Sequence, residues 1–126
     1  MTFICPQCSS ASLKIALRIE LPPDSRSDEI TIQTIRCSQC SFAGLAIYEE
    51  SRRGALDSES VYHRGYCVKA DTLTSIQKQI RECPEPTNPY CQCRNHKTLS
   101  RLNRLGRWNW LDDISHFGPF KLVRAS

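Results

Sequence analysis

Apolar and polar side chains alternate along two early stretches of the chain. Between Ser12 and Leu21, Leu13, Ile15, Leu17, Ile19 and Leu21 are separated by mostly polar residues, among them Lys14, Arg18 and Glu20. Period two over this length predicts a half-buried strand. Pro22-Pro23-Asp24-Ser25 ends it, and Asp24 to Asp28 make a polar turn. Ile30, Ile32 and Thr34 with Arg36 form a second alternating run, so the two predict a long β-hairpin. Phe42 to Tyr48 predicts a third strand, with Gly44 as a bulge or kink.

Residues 49–62 are polar and lack periodicity, which predicts a connector at 51–62 between a first unit, 1–50, and a second, 63–126. Val61 to Val68 predicts a short strand. Asp71 is the expected N-cap of a helix over Thr72 to Cys83, since its carboxylate can accept from free N–H groups of the first turn. Leu73, Ile76 and Ile80 share one face of that helix, and Pro84 ends it. Lys97 to Leu105 predicts another helix, with Leu99, Leu102 and Leu105 towards the core. Gly118-Pro119 is a turn before a short strand over Phe120 to Arg124.

The cysteines add chemistry to this outline. Cys5-Pro6-Gln7-Cys8 and Cys37-Ser38-Gln39-Cys40 are two C-x2-C turns placed at the base of the predicted hairpin. Such a turn folds both sulfurs towards one point, and two of them complete a tetrahedral zinc site with four thiolates. Disulfides or a reactive dithiol are the alternatives. A three-stranded antiparallel sheet clamped by Cys5, Cys8, Cys37 and Cys40 resembles the zinc ribbon, and the resemblance covers about residues 3–50. Zinc ribbons often carry glycine after the second cysteine of a knuckle; here those positions are Ser9 and Ser41. The resemblance implies binding to nucleic acid or protein, and rarely catalysis. Rubredoxin also uses two such knuckles, for iron, but its aromatic core and short acidic chain are not evident here.

A second constellation starts where the first predicted helix stops. Cys83, Cys91, Cys93 and His96 lie within 14 residues, in a loop stiffened by Pro84, Pro86 and Pro89. Three thiolates and a neutral imidazole suit a second zinc ion, which makes the expected fold class a small α+β protein stapled by metal. The ribbon would be followed by a helix, Cys-rich loop and helix module with a short C-terminal strand. Exposed thiols or disulfides are the alternatives for this loop. Cys67 is left over and reads as a small buried hydrophobe. His63 and His116 are solitary, with ordinary surface or core roles.

At 126 residues and eight cysteines, the chain has a modest core that staples would reinforce. Met1 to Cys5 carries neither a basic region nor an apolar stretch, so no secretory signal is expected, and a reduced cytoplasmic setting follows. No run of about 18 apolar residues predicts a membrane span. The formal charge of +4 is unevenly placed. Residues 1–62 hold six Lys and Arg against eight Asp and Glu, whereas residues 63–126 hold eleven against five. Head-to-tail self-association between the two halves is open on these charges.

From Cys91 to Leu111 there are five basic residues and no acidic one: Arg94, Lys97, Arg101, Arg104 and Arg107. On a helix, Lys97, Arg101 and Arg104 would form one stripe, with Trp108 and Trp110 just beyond. A basic stripe beside aromatics is the footprint of phosphate contacts plus base stacking, so nucleic acid is the first expected partner. The competing readings are a solvated basic face and tryptophans that fill the core. A protein-interaction adaptor and a zinc or redox sensor are the other functions in view. Catalysis finds little support, since both constellations supply four protein ligands where a catalytic zinc keeps one position open. Neither H-E-x-x-H nor the deaminase H-x-E with P-C-x-x-C occurs.

Overall fold

A computed structural model of the chain describes residues 2–51, 60–114 and 117–125. Its main element is an antiparallel sheet of five strands in sequence order: β1 (Leu13–Leu21), β2 (Glu29–Cys37), β3 (Ala43–Ser51), β4 (Ser60–Cys67) and β5 (Phe117–Lys121). The helices are α1 (Ala70–Glu82), α2 (Arg94–Leu99) and the single turn α3 (Leu111–Ile114).

The first hairpin forms as its alternation predicts, but β1 does not keep one face. Ile15 pairs with Ile35 and Leu17 with Thr34, leaving Ala16 as an extra residue in a β-bulge. Leu13 therefore joins one apolar cluster with Phe3, Ile35 and Ala46, while Ile19 and Leu21 join another with Ile32, Leu45 and Ile47. The two clusters lie on opposite faces of the sheet, while Ile15 on β1 and Val61 on β4 stay exposed.

The first sheet was expected to hold three strands, with the strand near Val61 to Val68 in a second unit; all five strands join one sheet because the polar stretch after Tyr48 is not a break. Strand β3 runs on to Ser51, and Glu49 and Glu50 are buried within it. Their carboxylates are held by partners: Glu49 lies under Arg64, and Glu50 Oε2 accepts from the Tyr48 hydroxyl at 2.9 Å. Strand β4 begins at Ser60, so residues 60–62 of the expected connector are strand, paired back to β3. Residues 52–59 lie outside the described ones. One cluster contains Ile19 and Ile32 together with Ile76, Leu99 and Trp108, so the two expected units share a core.

The ends of the sheet approach each other. Phe3 N–H donates to Leu13 O at 2.8 Å, and Leu13 N–H returns to Phe3 O at 3.0 Å. On the other side, Ile4 N–H donates to Val123 O and Ala125 N–H to Thr2 O. Residues 2–4 thus bridge β1 to the segment after β5, giving a short barrel-like ring at the end where the knuckles sit. The final strand starts at Phe117, earlier than expected, and residues beyond Lys121 supply this seam.

Helix α1 buries Ile76 and Ile80 and stops before Pro84 as its sequence predicts. Its N-cap is Lys69, with no side-chain cap, in place of the expected Asp71; Asp71 lies in the first turn, where its charge favours the helix dipole. Helix α2 departs further from expectation. It starts at Arg94 and stops at Leu99, so no helix spans Lys97 to Leu105. Ser100 ends it by donating through its hydroxyl to His96 O at 2.8 Å, while Arg101 Nη1 donates to Thr98 O. Asn103 then organises a turn, its Oδ1 accepting from the N–H groups of Leu105 and Arg107, with Gly106 at φ +75°. Leu102 and Leu105, expected in the core, are exposed.

Candidate metal centres

Each knuckle is built by local hydrogen bonds before any ion is considered. In the first, Ser9 N–H donates to Cys5 O at 2.9 Å and Cys5 N–H to Ser10 O at 2.9 Å. Closing this turn puts Ser9 at φ +63°, the left-handed region that glycine usually fills. In the second, Gln39 N–H points at Cys37 Sγ at 3.3 Å and Phe42 N–H at Cys40 Sγ at 3.4 Å. Such N–H groups favour the thiolate.

Strands β1 and β2 bring the knuckles together. Cys5 Sγ lies 3.6 Å from Cys40 Sγ, and Cys8 Sγ 3.7 Å from Cys37 Sγ. Sulfurs on a tetrahedron with metal–sulfur bonds of about 2.3 Å are about 3.8 Å apart, so the spacing fits. A disulfide needs about 2.05 Å, and all eight cysteines are free.

Serines surround these sulfurs. Ser10 Oγ is 3.0 Å from Cys8 Sγ, Ser12 Oγ is 3.0 Å from Cys37 Sγ, and the two hydroxyls bond each other. Burial opposes ionisation of Cys37, but hydrogen bonds from Ser12, Gln39 and Cys40 outweigh it and bring the thiol down to about 5. Cys40 is aided by Phe42 N–H, yet burial and its neighbours Cys37, Cys5 and Cys8 push it up to about 12. Repulsion among crowded sulfurs is what a divalent cation relieves, allowing all four to ionise.

The second group gathers Cys83, Cys91, Cys93 and His96, whose ligand atoms lie within 4.8 Å of one another. Cys83 caps the end of α1, Cys93 caps the start of α2, and His96 follows one turn later. Cys83 Sγ is 3.7 Å from Cys91 Sγ and 3.4 Å from His96 Nδ1, while His96 N–H donates to Cys93 Sγ at 3.3 Å. The loop is also fixed to the sheet, since Glu20 N–H on β1 donates to Pro86 O at 2.8 Å.

His96 is 1% exposed, and burial lowers its pKa, which favours the neutral ring that a metal takes. Nδ1 faces the sulfurs; Nε2 is buried without a hydrogen bond, and the Glu20 and Pro89 backbone only partly offsets the effect of burial on the ring's pKa. Nδ1 is thus the nitrogen placed to bind a metal, while Nε2 lacks the close acceptor that metal-bound imidazoles usually find. Burial pushes the Cys83 thiol up to about 12, with Cys93 and Cys91 adding to it.

Both groups predicted from spacing are therefore assembled, each with four donors. Cys67 belongs to neither; it packs half-buried beside the cluster of Phe42 and Leu122, and burial raises its pKa. His63 also stands apart, its ring edge-on to Phe3 and Tyr48 with Nε2 2.6 Å from Gln33 Oε1. His116 lies outside the described residues. No helix among the described residues is long and apolar enough to cross a membrane.

The expected basic and aromatic surface is not assembled as a stripe. Arg94, Lys97, Arg101 and Arg104 are exposed, but only the first two are on a helix. Trp108 and Trp110 are buried, 2% and 9% exposed. Their indole N–H groups both donate to Leu99 O, at 2.7 and 2.9 Å, and they hold α2 against the sheet. Arg101 covers Trp110 at 4.0 Å from the ring centre. Arg107 turns away from this group and pairs with Asp24 at 2.7 Å. The sequence reading missed Asp24 and Glu49 as buried anions. Asp24 had one signal, a turn with Arg26 and Ser27 whose N–H groups its Oδ1 accepts.

No protein-family model matches the chain, and no curated protein or solved structure gives a significant match.

Proposed function

We propose that the chain is a non-catalytic zinc protein that holds two ions and uses them to fix a nucleic-acid-binding surface. The observation that carries the zinc reading is the pair of four-donor groups, with sulfur separations of 3.6 to 3.7 Å. Thiolate-rich donor sets at tetrahedral spacing select zinc among the common divalent ions. Four protein donors leave no position for a reacting water, which is the arrangement of structural sites. Strands β1 to β3 with the knuckles at their base support the zinc-ribbon reading of residues 3–50.

The nucleic-acid reading rests on Arg94, Lys97, Arg101 and Arg104, which are exposed in a stretch without acidic residues. Phosphates are their natural counterions. Burial of the tryptophans removes them as stacking platforms, so the aromatic part of the surface must lie elsewhere. Native mass spectrometry of the reduced protein tests the first claim: two zinc ions per chain are expected, and one or none overturns it. Binding of an oligonucleotide that weakens as salt rises tests the second.

Leu102 at 49% and Leu105 at 82% exposure favour a second reading, a protein partner with an acidic rim and an apolar pocket. Affinity that is insensitive to salt and lost in Leu105→Asp would select it.

A further inference from the structure

Three arginines from three distant parts of the chain meet at one cleft of about 350 Å³: Arg26 from the first hairpin turn, Arg64 from β4 and Arg107 from the segment after α2. Ser27, Ser51, Tyr62 and the acidic Glu49 complete its lining. Two carboxylates sit beneath the guanidiniums. Asp24 is committed to Arg107 and to the N–H groups of Arg26, Ser27 and Trp108. Glu49 lies 3.6 Å from Arg64 and 3.8 Å from Arg107, longer than a close ion pair. Arg64 Nε is buried and makes no hydrogen bond. Guanidinium donors in a fixed fork are matched to the oxygens of a phosphate.

Tyr62 is 55% exposed, and the Arg64 guanidinium lies over one face of its ring, 5.9 Å from the ring centre, which leaves the opposite face for a base. An exposed aromatic next to clustered guanidiniums is what single-stranded nucleic acid needs, a base platform beside phosphate donors. The cleft also adjoins the end of the basic segment. Ser25 N–H donates to Gly106 O at 2.8 Å, which sets the turn carrying Arg26 against the residues that follow Arg104.

We infer that the cleft between Arg26, Arg64 and Arg107 holds a backbone phosphate of a single-stranded nucleic acid, whose adjoining base stacks on Tyr62. This rests on the nucleic-acid reading above and gives it a location. Arg94, Lys97, Arg101 and Arg104 then supply phosphate contacts along the strand that leaves the cleft, and the tryptophans play no direct part.

The test uses zinc-loaded protein and a fluorescein-labelled oligothymidylate of about 12 nucleotides, with an RNA counterpart, read by anisotropy across a salt series. Arg26→Ala is expected to weaken binding about tenfold at low salt and to reduce the salt slope by about 0.7, the loss of one phosphate on a single strand. Arg64→Lys keeps a charge over Glu49, so the fold is retained, yet it loses the fork and weakens binding several-fold. Tyr62→Ala is expected to cost about tenfold with the slope unchanged, and Tyr62→Phe to restore the affinity. Binding that ignores these variants but is lost in Arg101→Ala/Arg104→Ala overturns the cleft and leaves nucleic acid standing. If no oligonucleotide binds, the nucleic-acid reading falls and this inference with it. Inorganic phosphate then reports on the cleft's chemistry alone: thermal stabilisation beyond equal ionic strength of chloride, lost in Arg26→Ala, shows an anion site without a strand.

Discussion

Asp24 Oδ2 accepts the backbone N–H of Trp108 at 2.8 Å, across 84 residues of chain. This one carboxylate fastens the first hairpin turn to the segment that carries both tryptophans. It is fully buried, and its other bonds go to Arg107 and to two N–H groups of its own turn.

Removing it should be costly. Asp24→Ala leaves Arg107 with only the longer contact to Glu49 and takes the acceptor from the buried Trp108 N–H, and about 3 kcal/mol of stability should be lost. Burial works against the charge of Asp24, but the bonds from Trp108, Arg26 and Ser27, and the field of Arg107, hold its pKa below 3.8. A depressed carboxylate contributes its full share above its unfolded value of about 3.9 and loses it only as pH falls through the folded value. Denaturant melts of wild type and Asp24→Asn should therefore differ by a constant amount from pH 7 to pH 5. A gap that narrows within that window would refute the assignment.

The two metal groups should release their ions at different rates. Cys8 is exposed and Cys40 half-buried, whereas Cys83 and Cys91 are buried and His96 is 1% exposed. A chromogenic chelator should take one zinc in a fast phase and the second in a slow one. Cys8→Ser should abolish the fast phase, and Cys91→Ser the slow one. Mild peroxide should likewise reach the knuckle site first, through the exposed Cys8.

Ser9 takes a backbone conformation that costs a non-glycine residue about 1–2 kcal/mol. Glycine removes that cost but gives back part of it as unfolded-state entropy. Ser9→Gly is expected to raise stability by about 0.5–1 kcal/mol, and Ser9→Val to lower it and to speed zinc loss. Thermal melts of the zinc-loaded variants decide this, and a destabilised Ser9→Gly would count against the left-handed turn.

Two glycines in the sheet have no room for a methyl group. A Cβ on Gly44 would sit 2.6 Å from the Tyr66 carbonyl oxygen, and one on Gly65 would sit 2.3 Å from the Phe120 ring. The Tyr66 carbonyl is backbone in the paired strand, so Gly44→Ala has to distort the β3–β4 ladder. Phe120 can swing away at the cost of its packing on Phe42. Both should lose about 1–3 kcal/mol, with Gly44→Ala the worse. Guanidinium melts would show the order, and equal losses would mean that the ladder gives way as easily as a side chain.

What the sequence disclosed was what depends on short spacing. The C-x2-C turns, the hairpin between them and the helix ended by Pro84 are each set within a few residues, and so is the Cys83 to His96 group. What it concealed depends on distant partners. Glu49 and Glu50 read as connector because nothing local says that Arg64 and Tyr48 will cover them. Trp108 and Trp110 could be read as surface or as core, because the acceptor they share, Leu99 O, is legible only once α2 stops at Ser100. The stripe of Lys97, Arg101 and Arg104 assumed a helix that Asn103 and Gly106 turn aside.

The bulge in β1 bears on which changes of length the chain can accept. Ala16 is exposed and opposes no residue of β2, so its removal would bring Ile15 and Leu17 into regular succession, with Leu17 still against its cluster and Ile15 still on the opposite, exposed side. Losing Lys14 or Arg18 instead would turn part of the strand over and present leucine or isoleucine to the wrong side. Of the residues in this strand, Ala16 is the one whose deletion leaves every neighbour where it was.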